Sequence, residues 1–205
     1  MSAPKHPSTA RPARKHGASR TRLISAAAQL FQEKGFAATG LSEILDRAQM
    51  PKGSLYHHFP GGKAELGVAA MESAGEVLHQ TLTARQESQG TSAEAIRAFA
   101  QDLAGWLESS EYTRGCPIAT VALEQANGAP ELVAAIRSAF DRVILGLAEQ
   151  LVAEGQTPER ARQLATLCLS TLEGALILAR SQHSSDPVRM AGEELARLLS
   201  NEASA

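Results

Sequence analysis

With 205 residues, 43% hydrophobic and 4% aromatic, the chain can bury one sizeable core or two small ones, and its alanine- and leucine-rich composition favours an all-helical class. Two cysteines exclude a disulfide framework, and the N-terminus lacks the apolar stretch of a secretory signal. The net charge of −2 hides a division: residues 1–63 carry ten lysines and arginines against three acids, residues 64–205 ten arginines against nineteen acids. A basic end on an acidic body is the electrostatic footprint expected where one end meets phosphates.

Residues 1–18 hold three prolines among small, polar and basic residues and are expected to form a mobile basic arm. A first helix is expected from Ser19 to Lys34, with Leu23, Ile24, Ala27, Leu30 and Phe31 on one face and Gly35 as its stop. Thr39 reads as the N-cap of a short second helix whose buried side is Leu41, Ile44, Leu45 and Ala48. Met50-Pro51-Lys52-Gly53 ends it. Ser54 to Phe59 makes a third helix, too short to persist unless Leu55 and Phe59 dock on the first two.

The helical period returns after Gly61-Gly62. A long fourth helix ends near Gly90, and Thr91 with Glu94 predicts a capping box for a fifth whose buried stripe is Ile96, Phe99, Leu103, Trp106 and Leu107. A short sixth helix spans Ile118 to Gln125, and a seventh follows the Asn127-Gly128-Ala129-Pro130 turn. Thr157-Pro158 and Asp186-Pro187 pair a cap with a proline at the first helical position, starting helices at 158–182 and 187–200. The count is nine helices, no strand and no repeat. The most apolar run, Leu164 to Ala179, is interrupted by Ser170, Thr171 and Glu173 and reads as too short to span a bilayer, so a cytoplasmic location with no membrane partner is expected.

Residues 20–66 have the layout of a helix-turn-helix reader of double-stranded DNA: three short helices, a tight turn and basic and hydroxyl residues on the third. Lys52 is the first choice for reading a guanine edge, and Gly53 allows close approach to DNA. Ser54, Tyr56 and His57 are candidates for phosphate contacts, with His58 either beside them or covering the core. Thr39 and Ser42, at the start of the second helix, and Lys63, at the start of the fourth, are further phosphate candidates. His57 and His58 do not read as a metal site, because neighbouring helical residues diverge and no further ligand cluster supports them. Pro60-Gly61-Gly62-Lys63 lacks the spacing and preceding strand of a nucleotide-binding loop. No cofactor is expected.

The run G-F-x-A-T at Gly35–Thr39, followed by L-S-E-I-L, K-G-S-L-Y-H-H-F and G-K-x-E-L, resembles the tetracycline-repressor (TetR) family of bacterial regulators. Gly115-Cys116-Pro117-Ile118 with Glu124, and Leu172-Glu173-Gly174-Ala175, resemble the LmrA/YxaF-like subgroup of lincomycin-resistance and flavonoid-sensing regulators. The resemblance implies a nine-helix TetR-like architecture: a reader over residues 19–63 and a ligand-binding and dimerisation domain over 64–205. It implies a homodimeric repressor, not an enzyme, released from a palindromic operator by a small effector, and no catalytic constellation argues otherwise. Gln49 departs from the family's usual glycine at a position that often needs a left-handed backbone.

The eighth helix is apolar on more than one side: Leu164, Leu167, Cys168, Leu172, Leu176 and Ala179, with Leu169, Ile177 and Leu178 elsewhere. Burial on both sides, one against a symmetry mate with the ninth helix, is the expected solution. For a lipophilic or aromatic effector, the candidate lining is Phe99, Leu103, Trp106, Cys116, Ile118, Val121, Phe140 and Ile144, with Glu173 receiving a hydroxyl or cation. Cys116, at a helix start, is a candidate for a lowered thiol pKa, with a buried, inert cysteine the favoured alternative. The alternative is a DNA-binding dimer whose body docks proteins and takes no small molecule.

Overall fold

A computed structural model describes residues 12–202, which form nine α-helices and, among the described residues, no strand. The helices are α1 (Pro12–Lys34), α2 (Leu41–Arg47), α3 (Ser54–His58), α4 (Gly62–Gln89), α5 (Ser92–Ser109), α6 (Pro117–Glu124), α7 (Pro130–Ala153), α8 (Pro158–Gln182) and α9 (Asp186–Glu202). The mobile arm expected over residues 1–18 lies outside the described residues as far as residue 11. From Pro12 the backbone is helical, and the helix does not wait for Ser19. Proline is favourable at a first helical position, and the Ala, Arg and Lys that follow are strong helix formers.

Leu23, Ala27 and Phe31 of α1 pack with Ile44 and Leu45 of α2 and with Leu55 and Phe59, which are almost fully buried. This docking holds α3, only five residues long, in its helical form. Gly35 ends α1 at φ 86°. Thr39 is not the N-cap of α2. It is 2% exposed, its hydroxyl donates back to Gly35 O at 2.6 Å, and Gly40 takes the cap position, its N–H donating to Glu43 Oε2 at 2.9 Å.

In the body, α4 packs against α7, α5 against α9, and α8 against both α7 and α9. Gly75 sets the approach of α4 to α7: a Cβ there would lie 2.7 Å from Ala139 Cβ. Thr91 caps α5, accepting from Glu94 N–H at 3.3 Å, but the Glu94 carboxylate pairs with Arg97 in place of closing the box. Trp106 departs from the expected buried stripe of α5 and is 44% exposed. Helix α8 is long and apolar enough, by length and composition, to cross a membrane, so shortness is not what excludes it. Packing does: Leu164, Cys168, Leu172, Leu176 and Ala179 are buried in the body, which makes α8 a core helix.

Candidate nucleic-acid interface and internal cavity

One face of the reader collects the residues singled out for DNA. Lys52, Gly53, Tyr56 and His57 are exposed, and Ser54 and His58 are half-buried. Among the described residues, Lys52 has no protein hydrogen-bond or ion-pair partner, whereas other cations of the reader are engaged. Arg47 forks onto Glu33 through two 2.9 Å hydrogen bonds, Lys34 pairs with Glu43, Arg20 lies over the Phe59 ring and Arg22 reaches the Met50 sulfur. Gly53 has ordinary right-handed dihedrals and open space where a Cβ would sit, so close approach from outside is the property it supplies. Ser42 is exposed at the start of α2.

One candidate, Thr39, is displaced from this face, and another, Lys63, is partly engaged within the protein. Thr39 is buried, as described above. Lys63 is partly exposed: its ammonium stands 4.5 Å from the Phe36 ring centroid and 3.4 Å from Ala37 O, and partial burial lowers its pKa. It ties the start of α4 to the corner between α1 and α2 through these two contacts.

The body holds a mainly apolar, partly open cavity of about 280 Å³ between α4, α5, α7 and α8. Phe99, Leu103, Trp106, Cys116 and Glu173 line it, as expected. Ile118 and Val121 do not; they are fully buried in the packing of α6. Phe140 and Ile144 do not either; they lie half-buried against the core on α7, which contributes Val143 instead. Sequence reading missed Leu169, Leu172 and Leu176 of α8 as lining, because their period reads equally well as core. It also missed Gln32 and Arg114, whose polarity drew no attention, although Arg114 adjoins the Gly115-Cys116 pair.

Burial raises the pKa of Glu173, with a hydrogen bond to the Cys116 thiol opposing the shift. The thiol is pushed well up, first by burial and then by the Glu173 charge, so of the two readings open for Cys116 the buried, inert thiol holds and the activated one does not. A carboxylate and a helix N-terminus act on it together, and burial decides the outcome. Cys168, free and buried on α8, is likewise pushed up to about 12 by burial.

The cavity and the reader share residues. Gln32 belongs to α1, and the next residue, Glu33, is approached by Arg114 Nε at 3.4 Å from the cavity side. Glu33 is held ionised below the usual carboxylate range, chiefly by its hydrogen bonds from Arg47.

Comparison with known proteins agrees with this division. Residues 23–70 match the family described as bacterial regulatory proteins, tetR family, and residues 92–194 match the transcriptional regulator LmrA/YxaF-like C-terminal domain. An HTH-type transcriptional regulator of Mycobacterium tuberculosis is 36% identical over 88% of this chain and 93% of its own length. The chain belongs to the TetR family of transcriptional regulators. The regulator is also similar to HTH-type transcriptional regulator LmrA of Bacillus subtilis, 32% identical over 84% of this chain and 92% of that protein. A third relative is the transcriptional repressor NemR of Escherichia coli, 31% identical over 78% of this chain and 77% of that one. The crystal structure of its reduced form superposes with a TM-score of 0.70, covering 86% of this chain and 95% of that one at 28% identity. The protein is therefore a DNA-binding transcriptional regulator, in a family without enzymatic activity.

Proposed function

We propose that this regulator is a homodimeric repressor that leaves a palindromic operator when a small lipophilic or aromatic effector enters the body cavity. The observation that carries the reading is the cavity itself: apolar walls enclosing one carboxyl group whose ionisation is suppressed by burial. Such a site favours a ligand with a flat apolar surface and one hydrogen-bond donor or cationic group facing Glu173, which would offset the cost of burying that charge. Trp106, half-exposed at the wall, supplies an aromatic face.

Dimerisation is supported by a second observation. Leu167, Ile177 and Leu178 on α8 and Met190 on α9 are exposed, although α8 is otherwise a core helix. An apolar face of this kind fits an isologous contact with a second copy. Two readers held about 34–36 Å apart would then meet successive major grooves, with Lys52 at a base edge and Ser42, Ser54, Tyr56, His57 and His58 near phosphates. An effector releases DNA by binding better to a state with a different reader spacing.

The test is Trp106 fluorescence and thermal shift with planar aromatics and lipophilic cations, followed by operator release with whichever compounds bind. Quenching and stabilisation with one class, accompanied by release, are expected. Absence of both across the panel would overturn the effector reading and leave a DNA-binding dimer with a protein-docking body.

A further inference from the structure

Two arginines gather where the cavity opens. Arg114 lines the cavity and is exposed, so its guanidinium stands at the mouth. Arg180 comes to the same place from α8: its Nη1 would lie 2.9 Å from a Cβ on Gly115, another lining residue, and its Nη2 donates to Thr113 O at 3.2 Å. Gly115, without a side chain, leaves room for that approach. Glu173 is set further in, where burial raises its pKa.

Elsewhere in the body arginines pair closely with acids. Arg85 forks onto Asp102 at 2.6 and 2.7 Å, Arg142 meets Glu76 at 2.7 Å and Arg189 meets Glu108 at 3.0 Å. The two at the mouth differ. Among the described residues, Arg180 has a neutral carbonyl as its hydrogen-bond partner and no carboxylate at ion-pair distance. Arg114 approaches Glu33 at 3.4 Å, and that carboxylate already accepts two 2.9 Å hydrogen bonds from Arg47. An exposed contact of this length contributes little, and a better acceptor displaces it readily.

We infer that the effector is a compact aromatic acid whose carboxylate is taken by Arg114 at the cavity mouth, with Arg180 adding positive charge beside it, while a hydroxyl on the far side of the ring faces Glu173. The inference rests on the effector reading of the cavity. A guanidinium meets a carboxylate through two parallel hydrogen bonds, which a neutral carbonyl cannot reproduce. At the mouth the ligand's carboxylate keeps part of its hydration and escapes the penalty of full burial. Inside, a hydroxyl donates to Glu173 without bringing in a second charge. A cation would have to pass two arginines, so of the groups that Glu173 can accept the mouth selects the hydroxyl. The volume of about 280 Å³ lies at the lower end for ligand pockets, about 300–1,000 Å³, and suits one or two rings.

The experiment is titration calorimetry on the full-length protein with para-hydroxycinnamic acid, its methyl ester and cinnamic acid. On the unaltered protein the hydroxy acid is expected to bind about tenfold or more tighter than its ester, because the ester gives up a charge-assisted pair. Cinnamic acid, without the hydroxyl, should bind about fivefold more weakly than the hydroxy acid. Arg114→Gln, at an exposed position, should weaken the hydroxy acid by about tenfold and the ester by about twofold or less. Arg180→Gln should act in the same direction and less strongly. An ester that binds as tightly as the acid, or equal losses of both in Arg114→Gln, would overturn the carboxylate assignment and leave the effector reading standing. If none of the three compounds binds, the aromatic-acid inference falls; silence of the planar aromatics and lipophilic cations as well would overturn the effector reading with it.

Discussion

Gln49 occupies the left-handed position after α2, at φ 52°. Its N–H donates to Asp46 O at 3.1 Å, and the next N–H, of Met50, donates to Leu45 O at 2.9 Å. These two bonds make a Schellman ending, in which the residue after the C-cap is usually glycine. A residue with a Cβ pays about 1–2 kcal/mol in this conformation. Glycine removes that cost but enlarges the unfolded ensemble, an opposing effect of about 0.5–1 kcal/mol. The Gln49 side chain is exposed beside a polar groove with Arg22, Gln29 and Arg47, so little packing is lost with it. Gln49→Gly is therefore expected to stabilise the fold by about 0.5–1 kcal/mol, raising Tm by about 1–4 °C for a chain of this size. The assay is thermal unfolding at one fixed protomer concentration, since association shifts Tm by mass action. Gln49→Ala keeps the Cβ and should leave Tm nearly unchanged, while Gln49→Val adds branching and should lower it. A glycine variant less stable than the valine variant would refute the strain at this turn.

Lys52→Ala should relax preference at one operator base pair by about 1–3 kcal/mol while affecting random DNA less; equal losses on both duplexes would assign Lys52 to phosphate. For Glu173, the folded pKa lies above the ordinary 4.5, so its share of stability is complete below that value and is lost as pH rises through the raised folded one. Glu173→Gln, which cannot ionise, should match the wild type near about pH 4 and exceed its Tm by about pH 8; parallel curves across that range would contradict the burial of this carboxyl. Ile177→Arg, on the exposed apolar face of α8, should sediment as a monomer at micromolar concentration and bind the operator more weakly. A surviving dimer would move the interface elsewhere.

The helical order was legible in the residues because local rules governed it. Gly35, Gly90, Thr91, Thr157 and Pro158 act within one turn of the helix they start or stop, and the structure uses each at that place. The left-handed turn at Gln49 was legible only through the glycine that the resembling family places there. Thr39 was misread because two adjacent residues compete to cap α2, and its hydroxyl found a closer acceptor in Gly35 O. Ile118, Val121, Phe140 and Ile144 were assigned to the cavity because apolar periodicity gives a buried face without saying whether another side chain or an empty volume lies opposite.

The sequence by itself determined the class, the nine helices, the basic reader and the exposed Lys52, since these follow from period, caps, turns and charge along the chain. Only the tertiary structure decided what the charges do once folded. It set Lys63 over the Phe36 ring and beside Ala37 O, raised the Cys116 thiol, and brought Glu124 to a residue 87 positions away. Burial and pairing across the fold depend on which helices meet, and no local pattern carries that information.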